Sequence, residues 1–109
     1  MTLSSKFLGD MAAVAAASGR FGHRERLELT WRYVRRCGSE EAGDAIGEGL
    51  ARLADAQNRP YDPDETRFWV DVVTRATELH PDLDFDELVS EHPHLLDTRL
   101  PELAPLLRA

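Results

Sequence analysis

Apolar side chains recur once per helical turn along most of this chain. Phe7, Met11 and Val14 stand at i, i+4 and i+7, which predicts a first helix over 4–17, with Gly19 beyond it as a stop. Leu27, Trp31 and Val34 repeat the spacing in a second helix from His23 to Arg36, with Gly38 expected to end it. Ser39 then reads as the cap of a third helix, with Glu40 and Glu41 in the first turn, where the dipole favours negative charge. Ala42, Ile46, Leu50 and Leu53 form its inward stripe. Gly43, Gly47 and Gly49 each cost up to about 1 kcal/mol of helix propensity relative to alanine, so a tightly packed crossing is expected there.

After the breaker Asn58-Arg59-Pro60-Tyr61, Asp62 can cap a fourth helix that has Pro63 at its first position and Glu65 to complete a capping box. Trp69, Val72, Val73 and Ala76 point inward, and Pro81 ends the run. Asp84 and Glu87 form a second capping box, with Leu83 and Leu88 as its hydrophobic staple, around a short fifth helix reaching about Glu91. Pro93, Pro101 and Pro105 break up the remaining tail. Its leucines 95, 96, 100, 103, 106 and 107 are each worth about 1.5–3 kcal/mol when buried, so the tail is expected to wrap over the bundle or a partner. No stretch alternates with period two, so the fold class is all-α: a compact bundle of about five helices with a leucine- and proline-rich C-terminal tail packed on it. At 109 residues, positions 1–109 suit a single domain.

Charge narrows the function classes. Thirteen basic against twenty acidic residues give a net charge of −7, which opposes non-specific binding to nucleic acid or anionic lipid. Residues 1–60 carry nine basic and eight acidic side chains and 61–109 carry four and twelve, so the two halves should attract each other within or between molecules. The arginines of the second helix and the Cys37-Gly38-Ser39 turn imitate a helix-turn-helix, but Glu40, Glu41, Asp44 and Glu48 would set the reading helix against phosphate. The alanine-rich stretch 11–17 has a signal-peptide flavour, yet it is flanked by Asp10 and is too short for a bilayer span. The lone Cys37 excludes an internal disulfide and reads as a small buried residue, and a reducing, cytoplasmic setting is expected.

The strongest chemical constellation is His23, Glu25 and Arg26 at the start of the second helix with Tyr61, Asp62 and Thr66 at the start of the fourth. Two helix N-termini converging there would offer backbone N–H groups to an anionic or carbonyl-bearing molecule, with His23 as acid–base. The plainer reading makes Asp62 and Glu65 caps and Tyr61 a lid on the core. Trp31 and Trp69 read as core, or as a pocket wall or interface anchor. His23 with two carboxylates is a poor metal set, no cofactor motif is present, and His80, His92 and His94 read as surface residues.

Phe21-Gly-His-Arg-Glu-Arg-Leu27 with Trp31, Tyr61 with Thr66-Arg-Phe-Trp69, and Asp84-Phe-Asp-Glu-Leu88 with His92-Pro-His-Leu-Leu-Asp97 resemble a family of small uncharacterised bacterial all-helical proteins. Its fuller members read Phe-x-His-Arg-Glu-His-Leu and Tyr-His-Glu-Thr. Of the three histidines in those motifs this chain keeps His23, with Arg26 and Asp62 at the other two positions. The resemblance implies a divergent member with a diminished histidine site. Two functions follow as expectations. One is a small cytoplasmic accessory or interaction protein, such as a non-catalytic subunit of a biosynthetic enzyme or a homodimer. The other is a small enzyme or small-molecule-binding protein using the pocket at His23, Tyr61, Asp62 and Thr66.

Overall fold

The computed structural model describes residues 4–102. Four α-helices are followed by a short 3-10 helix: α1 (Ser5–Ala15), α2 (His23–Ala56), α3 (Pro63–Leu79), α4 (Phe85–Glu91) and the 3-10 helix Pro93–Leu96. No strand occurs among the described residues, and the all-α bundle is as expected. No helix among them is long and apolar enough to cross a membrane.

The second and third expected helices are one element. Gly38 does not end α2 but kinks it, at φ 84° and ψ 168°, and helical structure resumes at Ser39. These torsions lie in a region essentially reserved for glycine, because a Cβ would collide with the backbone. The result is an elbow with a first arm, 23–37, and a second arm, 39–56. The first arm buries more than the expected stripe: Leu29, Thr30 and Tyr33 are buried beside Leu27 and Val34, while Trp31 is only half-buried.

The three glycines of the second arm receive α1 on one side and α3 with its approach loop on the other. A Cβ on Gly49 would fall 2.6 Å from Cδ1 of Phe7 and nearer still to Cε1 and Cζ, so this glycine is the seat of the α1 anchor. Phe7 also meets Tyr33 of the first arm edge to face, with ring centroids 6.4 Å apart. Gly43 faces Arg67 and Val70 of α3, and Gly47 faces the Tyr61 hydroxyl. The crossing expected from the glycines is therefore present.

Local signals place the remaining ends. Ser4 caps α1 by accepting from the Phe7 N–H. Asp62 accepts from the N–H groups of Asp64 and Glu65, which makes the Asp half of its expected box. At α4 the box is complete, since Asp84 and Glu87 each accept from the other's N–H. The staple partner Leu88 is fully buried. In the tail, Leu95 is 1% exposed and Leu100 packs against the core, while Leu96 is 43% exposed. Leu103, Leu106 and Leu107 lie outside the described residues.

Arginine placement departs from the expected pairing of halves. Arg24 does pair with Asp86, but Arg36 pairs with Asp10 of α1 at 3.7 Å, and Arg35 donates to the carbonyls of Pro81 and Leu83. Tyr33 donates to Asp10 at 2.5 Å. Burial and the hydrogen bond to Asp10 push the Tyr33 phenol up to about 12. For Asp10, burial pulls upward, yet the Tyr33 bond with the Lys6 and Arg36 charges holds its carboxyl below the ordinary value.

Candidate functional site

The start of α2 is fixed by Glu25. Its carboxylate returns to the N-cap, accepting the Gly22 N–H at 2.7 Å and the Ser18 hydroxyl at 3.0 Å. With the residue only 3% exposed, desolvation would raise the Glu25 pKa, but these donors outweigh it and hold the carboxyl below the usual range. Glu25 is a capping group, and it does not reach the cleft described next. Glycine at N-cap with glutamate three residues on is the half-box signal that could have shown this in the sequence.

The end of α2 turns the chain back. Asn58 adopts φ 55°, its N–H donates to Asp55 O at 3.0 Å, and the Arg59 N–H donates to Ala54 O at 2.8 Å. This paired 5→2 and 6→1 pattern is a Schellman motif, which closes the helix and sends the next residues along its side. Pro60 and Tyr61 therefore run back over the second arm, where the absent side chain of Gly47 leaves room for the phenol oxygen.

Elbow, turn and α3 start enclose a cleft of about 270 Å³. The first arm contributes His23, Arg26, Leu27 and Thr30; the second contributes Ile46, Leu50, Leu53, Ala54 and Gln57. Arg59, Pro60 and Tyr61 come from the turn, and Asp62, Glu65, Thr66 and Trp69 from the α3 approach. Thr30 turns its hydroxyl back to the Arg26 carbonyl at 2.8 Å, leaving an apolar wall. Leu50 and Leu53, expected as core, are half-buried because they line this opening.

Of the eight residues singled out in the sequence, His23, Arg26, Tyr61, Asp62, Thr66 and Trp69 meet in this cleft. Glu25 does not, for the reason given. Trp31 lies elsewhere, against Phe85 at 5.8 Å and beneath the Arg35 guanidinium at 5.0 Å. Arg59, Leu50 and Leu53 were missed as lining residues. Nothing local marks Arg59, since its position follows from the Schellman turn.

Two chemical expectations are corrected. The α3 N-terminus does not present free N–H groups, because Asp62 Oδ1 already accepts from Asp64 and Glu65. His23 is engaged through Nε2, which donates to the Leu95 carbonyl at 2.8 Å and straps the 3-10 helix to the start of α2. A carbonyl only accepts, so Nε2 carries the proton and a neutral His23 keeps Nδ1 as its free acceptor. Its ring meets the buried Trp69 at a 65° angle, centroids 4.6 Å apart.

His80 and His92 are half-buried rather than at the surface, while His94 is exposed as expected. His80, His92 and His94 form a row with centroid separations of 5.1 and 5.6 Å, and His92 Nε2 is buried without a partner among the described residues. Among those residues no group of three or more His, Cys, Asp or Glu could hold a metal ion. Cys37 is half-buried, with its thiol directed at the Tyr33 carbonyl at 3.1 Å. No family model, curated protein or solved structure matches the chain.

Proposed function

We propose that this chain is a small-molecule-binding protein whose ligand seats in the elbow cleft. The observation that supports this reading is the convergence of His23 and Arg26 with Tyr61 and Thr66, more than thirty residues away, around an apolar floor that includes the buried Trp69. A concave apolar site with a few convergent polar groups is the usual anatomy of a ligand pocket, and about 270 Å³ falls just below the common range of roughly 300–1,000 Å³. In this reading Tyr61 and Thr66 orient the ligand, and His23 holds the wall in place. Any acid–base role for His23 falls to Nδ1. The lone thiol Cys37 fits a reducing, cytoplasmic setting.

The test is NMR screening of small fragments of varied charge. The indole N–H of Trp69 reports on the cleft, and that of Trp31 serves as an internal reference. Fragments that shift Trp69 and not Trp31, and that stop binding when Thr66→Phe fills the cleft, support the reading. It is overturned if no fragment shifts Trp69, or if binding survives Thr66→Phe in a protein with an unaltered melt.

A second reading, an accessory protein acting as a homodimer, draws on Leu79. This side chain is 65% exposed beside a hollow lined by Phe68, Val72, His92 and Leu95. A dimer in sedimentation that Leu79→Glu converts to monomer would support it, and a strict monomer across accessible concentrations would end it.

A further inference from the structure

We infer that the cleft selects a small hydrophobic monocarboxylic acid, an inference that rests on the cleft being a ligand site. The first argument comes from the arginines. Arg24, Arg32, Arg36, Arg52 and Arg99 are held in ion pairs and Arg35 on backbone carbonyls. The guanidinium groups of Arg20, Arg26, Arg59, Arg67 and Arg75 are placed in no ion pair or hydrogen bond among the described residues, and of these five Arg26 and Arg59 line the cleft. Two carboxylates line the same cleft without reaching them. Asp62 is occupied by the α3 N–H groups, and Glu65 lies exposed at the edge.

Guanidinium groups match a carboxylate in charge and in the planar, forked arrangement of their donors. Asp62 and Glu65 nearby add a negative field that penalises a second charge on the ligand, so a monoanion suits the site better than a phosphate dianion. Leu27, Ile46, Leu50, Leu53 and Trp69 give the cleft an apolar side that suits a hydrocarbon body, and Tyr61 and Thr66 add hydroxyls beside it. A volume of about 270 Å³ equals that of about nine waters, which sets the ligand at about ten non-hydrogen atoms. The carboxylate sits toward Arg26 and Arg59, and the hydrocarbon lies on the leucines and Trp69.

The experiment titrates 3-phenylpropionate and, separately, its neutral amide into the full chain, following the Trp69 indole signal. The acid is expected to bind about tenfold tighter than the amide, the scale of a hydrogen bond to a charged group. That advantage should shrink at about 1 M salt, where the Debye length is about 3 Å. It should also vanish in the Arg26→Gln/Arg59→Gln variant, whose exposed substitutions leave the melt unchanged, while amide binding persists. Equal binding of acid and amide overturns the carboxylate inference and leaves the cleft as a site for neutral ligands. An acid preference that survives the double substitution overturns the assignment to Arg26 and Arg59. If neither compound shifts Trp69, this inference and the cleft reading both fall.

Discussion

Gly49→Ala tests the packing argument most directly, because local and tertiary effects oppose each other there. By helix propensity alone the substitution stabilises α2 by about 1 kcal/mol. The structure reverses the sign. The new methyl would stand 2.6 Å from Phe7 Cδ1 and closer to two other ring atoms, whereas carbon atoms rest at about 3.5–4.0 Å, so the ring must retreat by about 1 Å. Phe7 is buried and braced against Tyr33, and overpacking a filled core costs about 1–3 kcal/mol. With so little space the upper end applies, leaving a net loss of about 2 kcal/mol and a fall in Tm of roughly 10 °C for a domain of this size. Urea denaturation followed by far-UV circular dichroism measures it. The decisive comparison adds Gly49→Ala to a Phe7→Ala protein, which is itself destabilised by about 3–5 kcal/mol. With the ring gone, alanine at 49 should stabilise by up to about 1 kcal/mol. Phe7→Leu gives a milder background if Phe7→Ala does not fold. A Gly49→Ala protein as stable as the parent, or the same sign in both backgrounds, refutes the reasoning.

Three further outcomes are expected. Gly38→Ala should cost about 1–3 kcal/mol although nothing beyond the adjoining helix backbone lies within 4 Å of the added Cβ, and Gly38→Asn should not rescue it, because ψ 168° is far from the left-handed helical region asparagine tolerates; equal melting of the parent and both variants would contradict this. His23→Ala removes the donor to Leu95 and should raise amide exchange over 94–96 more than over α3; uniform exchange across both would show that the strap carries nothing. The pH dependence has two limbs. Glu25 has a folded pKa below its ordinary 4.5, so its stabilisation is in force above that value and is lost as pH falls through the folded pKa. Tyr33, raised from 10.0 to about 12, contributes stability present below pH 10 and lost as pH rises toward 12, so Tyr33→Phe should flatten the alkaline limb of a stability-pH profile and Glu25→Gln the acid limb.

The features legible in the sequence are those written in adjacent residues. Asp84, Glu87, Leu83 and Leu88 specify a helix start within six positions, and the box and the buried Leu88 are present. Asp62 and Pro63 specify another. Glycine was ambiguous. At Gly19 it follows a finished helix with φ 74°, whereas at Gly38 neighbours on both sides hold their helical structure and the glycine absorbs the bend. The extra burial of Leu29 could not be read from one stripe, since a helix packed on more than one side has no single inward face. For the site, residue types at the two helix starts located the cleft. The Asp62 cap was legible and the Glu25 cap was marked by the Gly22–Glu25 spacing, whereas the tie of His23 to Leu95 joins residues 72 positions apart and no local pattern marks it.

The bend at Gly38 makes the opening a lever. Leu27 and Leu53, on opposite limbs, are joined through one pair of torsions, and Leu53 lies about 22 Å beyond the joint at 1.5 Å per residue. Each degree of rotation at residue 38 therefore sweeps that wall by about 0.4 Å. The width of the cleft is thus set at a distance, and substitutions far from its walls can change it by shifting how α1 and α3 clamp the limbs.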